Sequence, residues 1–146
     1  MTPDAWFAYD PRVPAPTGAT PTRPLPLVLI VDDNVDAREM YAIYLAHAGF
    51  RTAEAADGET AIEMAVRDRP AVILMDATMP KMDGWEAARR LKADAATRSI
   101  PLIMLTAHAF DEHRQRAAEV GADAFLAKPV LPDALALQIR KVLADS

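Results

Sequence analysis

Five short apolar runs, each followed by a stretch of helical periodicity, confine this chain to a layered α/β fold. The runs cover residues 27–31, 51–55, 71–75, 101–105 and 124–127. They are short and mostly apolar, as strands buried on both faces are. Between them, residues 34–48 place Ala37, Tyr41, Tyr44, Leu45 and Ala48 on one helical face, with Gly49 as a C-terminal cap. Asp57 can cap a helix over 58–67, with Pro70 marking its end. Asp83-Gly84-Trp85-Glu86 reads as a capping box opening a helix to about Ala93. A helix from Asp111 to Val120 stops at Gly121, and Pro132 suits the first turn of a last helix running to Ala144. There is no internal repeat. Regular alternation predicts a doubly wound parallel sheet with right-handed crossovers and helices on both faces.

Four of the five runs are followed by a residue suited to phosphate chemistry: Asp32-Asp33, Asp76, Thr106 and Lys128-Pro129. Ligands of open parallel sheets bind at the carboxyl ends of the strands, where strand order reverses. The spacing therefore predicts three carboxylates, a hydroxyl and an ammonium in one crevice. Carboxylates within about 5 Å repel by a few kcal/mol per pair at an effective dielectric near 20. A hard divalent cation relieves that repulsion, and Mg²⁺ prefers oxygen ligands. Lys128 can neutralise the far side of a phosphoryl group, and Thr106 can donate to one of its oxygens. Asp76 is then the nucleophile, with little beyond positioning and electrostatics required.

Composition agrees with one such domain. The chain has 146 residues, 51% hydrophobic and 25% charged, enough for a single core. It contains no cysteine, which excludes disulfides and thiolate metal sites. No apolar run approaches the ~18 residues of a membrane span, and the start lacks the pattern of a signal peptide. A cytoplasmic location is the expectation. A net charge of −5 argues against direct binding to nucleic acid. Residues 1–26 stand apart, holding seven of the twelve prolines. They read as a flexible Pro-rich extension; the competing reading is that Trp6, Phe7 and Tyr9 dock on the domain or on a partner. Residues 27–146 form the domain.

The motifs Val31-Asp32-Asp33-Asn34, Met75-Asp76-Ala77-Thr78-Met79-Pro80-Lys81-Met82-Asp83-Gly84, Leu105-Thr106-Ala107 and Phe125-Leu126-Ala127-Lys128-Pro129 resemble, in order, those of receiver domains of bacterial two-component response regulators. The resemblance covers about residues 27–144. It implies a flavodoxin-like sheet of strand order 2-1-3-4-5 and a phosphoacceptor role for Asp76. It further implies direct Mg²⁺ ligation by Asp33, Asp76 and the backbone carbonyl of Thr78, with Asp32 acting through water and Mn²⁺ able to substitute. Thr106 matches the hydroxyl that turns toward the phosphoryl group, Lys128 the lysine that faces it, and Phe125 the aromatic switch. Many relatives carry Tyr there, and a phenyl ring has no hydroxyl to lock on a backbone partner, so a less sharply two-state switch, or readout through other surfaces, is expected. Thr78 and His108 match positions that tune the lifetime of the phosphate; His108 is either a bystander or an orienter of water. Ala37, Met40, Pro129 and Val130 match contact positions for the donor, a histidine kinase or histidine phosphotransfer domain.

Several readings compete. A flavodoxin-like cofactor binder is disfavoured because Asp32-Asp33 would repel a flavin phosphate. A Mg²⁺-dependent phosphatase needs a specificity insertion that these short loops do not offer. A turnover enzyme on external substrates is therefore not expected. Within the family, a degenerate receiver and a receiver fragment of a hybrid kinase remain alternatives to a single-domain protein. The chain stops soon after its last helix, so output through protein contacts or onward phosphate transfer is expected, from a monomer or weak homodimer. Leu131, Leu135, Ile139 and Val142 are expected in the core, Trp85 as a partly buried anchor, and Leu137 on an exposed face.

Overall fold

The computed structural model describes residues 24–107 and 111–145. The order is β1 (Leu27–Val31), α1 (Val35–His47), β2 (Arg51–Ala55), α2 (Gly58–Asp68), β3 (Val72–Asp76), α3 (Gly84–Ala93), β4 (Leu102–Thr106), α4 (Asp111–Glu119), β5 (Ala124–Ala127) and α5 (Pro132–Asp145). All strand pairs are parallel, in the order β2-β1-β3-β4-β5. β3 and β4 each extend one residue beyond the apolar run that announced them. Asp76 pairs with Leu105 and Thr106 with Ala127, so both polar residues belong to the ladder.

Alternation along the strands divides the core into two layers. Val28, Ile30, Val72, Leu74, Ile103 and Leu105 pack against Tyr41 and Leu45 of α1 and Leu135, Ile139 and Val142 of α5. Leu29, Val31, Ile73, Met75, Leu102 and Met104 pack against α2, α3 and α4 through Ala61, Ala65, Trp85, Leu91 and Ala117. Each large aliphatic side chain buried this way contributes about 1.5–3 kcal/mol. Trp85 is more buried than expected, at 5% exposure. Leu131 corrects its expectation in the other direction: it is 71% exposed because α5 begins at Pro132, leaving Leu131 off the helical stripe. Leu137 is 66% exposed, on the outer side as expected.

Helix starts follow the polar residues that precede them. Asn34, Asp57 and Asp83 accept from the backbone N–H groups of Ala37, Thr60 and Glu86. The box at α3 is half made, because the Glu86 carboxylate turns to Arg89 and Arg90. Those bonds hold it down at about 2. α2 ends on Arg69, a left-handed non-glycine residue with φ of 47° that the sequence did not signal. At Gly84 the requirement is steric: any Cβ would overlap the backbone carbonyl of Asp76, and the Gly84 N–H donates to Ala77 O at 3.0 Å. Glycine thus lets α3 start directly against the end of β3.

Two measurements test these local arguments. Gly84→Ala should cost about 3 kcal/mol in urea unfolding, the upper range of overpacking because the obstacle is backbone. Asp57→Ala should cost about 1 kcal/mol near neutrality. The Thr60 N–H holds the Asp57 carboxyl below its ordinary 3.8. Its contribution is therefore complete above that value and disappears as pH falls through the lower folded value, where wild type and variant should unfold alike.

Candidate functional site

The polar strand ends converge at the carboxyl edge of the sheet. Asp32 follows β1, Asp76 ends β3, Thr106 ends β4 and Lys128 follows β5. β1 and β3 are neighbours from which the chain proceeds toward opposite edges, the point where strand order reverses. Carboxylate oxygens of Asp32, Asp33 and Asp76 lie within 4.8 Å of one another. Asp32 and Asp76 are buried, at 2% and 7% exposure, whereas Asp33 is exposed.

Lys128 joins the two buried acids. Its Nζ lies 3.0 Å from Asp32 Oδ2 and 3.3 Å from Asp76 Oδ1. Burial pushes the Asp76 carboxyl up; the Lys128 charge opposes this and the Asp32 charge adds to it, leaving a net rise. Burial alone would lower Lys128, yet the hydrogen bond to Asp32 and the charges of Asp76 and Asp32 outweigh it and raise the ammonium. Both effects follow from one ammonium facing several desolvated carboxylates.

Backbone contacts hold the loops. Asp32 N donates to Ala55 O, Ala77 N to Leu105 O and Lys128 N to Thr106 O at 2.7 Å, extending the ladders past the strands. Asn34 N donates to Asp32 Oδ1 and Thr78 N to Asp76 Oδ1. The Lys128-Pro129 bond is cis. Two residues that the sequence reading missed also act here. Arg38 donates from Nη1 to the Asp32 carbonyl at 2.7 Å and from Nε to Glu54. His113 of α4 places Nδ1 3.2 Å from Thr106 Oγ1. An arginine five residues after the acidic pair was a signal that could have been used; for His113 no comparable signal existed.

The remaining expected positions fall as follows. Thr78 is exposed beside Asp76. Phe125, in β5, is half-buried against the α2–α3–α4 layer, with the Arg114 guanidinium 5.9 Å from its ring centre. Met40 and Pro129 are exposed, and Ala37 and Val130 are half-buried against the other layer. His108 and the Trp6-Phe7-Tyr9 cluster lie outside the described residues. The acidic donors are hard carboxylate oxygens in a set that suits a small divalent cation and offers nothing to a soft one.

A family model for the response regulator receiver domain matches residues 28–140. The chain is 41% identical over 116 residues to the phosphate regulon transcriptional regulatory protein PhoB of Pseudomonas aeruginosa, and 36% identical over 116 residues to that of Escherichia coli. These alignments cover 80% of this chain and 51% of each relative, so the chain spans about half their length. Among solved structures it is similar to the Vibrio cholerae chemotaxis protein CheY4, with a TM-score of 0.77 and 34% identity over 81% of this chain and 98% of that one. It is also similar to the receiver domain of the Pseudomonas aeruginosa sensor histidine kinase PA1611, which has a magnesium ion coordinated in its active site cleft. That match has a TM-score of 0.76 and 32% identity over 82% of this chain and 98% of that one.

The raised Asp76 carboxyl has a consequence for stability. Its folded-state value exceeds the ordinary 3.8, so the charged form costs stability above the folded value, and the cost fades as pH falls through it. In the presence of chelator, Asp76→Asn should therefore raise the melting temperature near neutrality, with a gain that shrinks on acidification.

Proposed function

Because this chain belongs to the response regulator receiver domain family, we propose that it is the phosphoacceptor module of a two-component system or phosphorelay, with Asp76 as the acceptor. What carries the reading is the Lys128 ammonium held between Asp32 and Asp76 at the strand-order reversal, beside a third carboxylate. A carboxylate oxygen of Asp76 attacks the phosphorus of a phosphohistidine. The N–P bond breaks, an acyl phosphate O–P bond forms, and the released imidazole takes a proton from solvent. The module is consumed and regenerated by hydrolysis or onward transfer rather than turning over external substrates.

Asp33, Asp76 and the backbone carbonyl of Thr78 are the residues that would hold Mg²⁺ or its substitute Mn²⁺, with Asp32 acting through water. The cation would supply positive charge against the transferring group. Lys128 neutralises charge on the other side, and Thr106 turns its hydroxyl to a phosphoryl oxygen. Phe125 then fills the space that Thr106 leaves. Thr78 and His108 tune the lifetime of the phosphate. The phosphohistidine donor docks through Ala37, Met40, Pro129 and Val130, and output passes through protein contacts rather than nucleic acid. Among the described residues no helix is long and apolar enough to cross a membrane; a cytoplasmic, monomeric or weakly dimeric protein completes the reading.

The test is incubation with Mg²⁺ and acetyl phosphate followed by intact mass measurement. One added phosphoryl group is expected, absent with chelator and absent in Asp76→Ala. An undiminished adduct in Asp76→Ala would place the acceptor elsewhere.

A further inference from the structure

We propose that His113 is a positioning residue that retains the Thr106 hydroxyl in its resting orientation and so sets how readily the site takes up a phosphoryl group. The proposal rests on the phosphoacceptor reading above. Thr106 ends β4 at 1% exposure, with Oγ1 3.2 Å from His113 Nδ1. The imidazole is held by its surroundings. It meets the Trp85 ring edge-on, with centroids 5.8 Å apart and planes at 86°. Trp85 is itself packed in the core from α3, and the Arg116 guanidinium lies 5.0 Å from its ring centre. A ring packed this way presents Nδ1 in a defined direction instead of sampling rotamers.

Proton count makes the contact consequential. A threonine hydroxyl carries one proton. Phosphoryl oxygens on an aspartate are acceptors, so the hydroxyl must donate to serve them. The tautomer proposed carries the ring proton on Nε2, so that Nδ1 accepts this same hydroxyl proton from Oγ1. The Thr106–His113 bond and the Thr106–phosphoryl bond are therefore alternatives, and the first opposes formation of the second. Removing the imidazole nitrogen should favour the occupied site by about threefold to tenfold, the factor that one net hydrogen bond represents.

The experiment uses the full chain with Mg²⁺ and beryllofluoride as the phosphoryl mimic, with binding read from the fluorine NMR signal of the bound species. His113→Phe keeps a planar ring against Trp85 and lacks the nitrogen, so it should bind beryllofluoride threefold to tenfold more tightly. His113→Asn, with an amide near the Nδ1 position, should return affinity to that of the parent. In a Thr106→Val background His113→Phe should change nothing, a dependence that a packing role would not show. Unchanged or weaker binding by His113→Phe overturns the proposal, and weaker binding would identify the imidazole as a donor that assists Thr106. An effect that persists with Thr106→Val overturns it as well. If His113→Phe does not fold, His113→Leu carries the same comparison. A parent protein that gives no bound signal defeats the phosphoacceptor reading itself and this proposal with it, whereas a parent signal that His113→Phe leaves unaltered defeats this proposal alone.

Discussion

The ammonium of Lys128 lies between two carboxylates that burial would otherwise make costly. Removing an ion from water costs several kcal/mol even after the protein relaxes. Asp32 and Asp76 are both almost fully buried at the sheet edge, and Lys128 contacts both within 3.3 Å. The partners come from the loop after β1, the end of β3 and the loop after β5, so the side chain of Lys128 crosses the end of β4 to reach them. An ion pair spanning three strand ends in this way demands the full sheet in its observed order. Register matters equally, because a slip of one residue would turn Asp76 to the other face.

Around this pair the scaffold is rigid where position matters. Gly84 lets α3 abut β3 behind the Asp76 backbone, Arg38 ties the Asp32 carbonyl to the end of β2, and ladder bonds run past the strands into each loop. The side chains assigned to move, Thr106 and Phe125, stand on the neighbouring strands β4 and β5 and pack beside α4. Inverting a 1:99 population takes about 5.5 kcal/mol of differential stabilisation. One net hydrogen bond contributes about 1 kcal/mol, so no single contact of Thr106 suffices. In the proposed switch, the charge added to Asp76, its pairing with Lys128 and a bound cation would act together, with the His113 contact setting the starting point.

The order of elements was legible because it is written in local periods. Runs of β-branched and aliphatic residues marked the strands, stripes at helical spacing marked the helices, and Asp57, Asp83, Gly49 and Gly121 marked their ends. Asp76 and Lys128 could be nominated together because parallel topology sends every strand end to one edge. Where the reading went astray, a competing contact or boundary within one helical turn decided the outcome. Glu86 left the capping box for two arginines, and Leu131 fell just outside the helix whose stripe it seemed to continue.

The sequence alone therefore determined the alternation, the fold class and the chemical identity of the groups at the strand ends, since each depends on spacing within a few residues. Tertiary structure decided which groups touch: that Lys128 pairs with Asp32 and Asp76 while Asp33 stays exposed, that Arg38 anchors a carbonyl, and that His113 reaches Thr106. The Lys128 pairing follows from strand order, and the Arg38 and His113 contacts depend on how α1 and α4 seat on the sheet. That seating is set by burial of whole helix faces, a property of the packed core that no short window of residues contains.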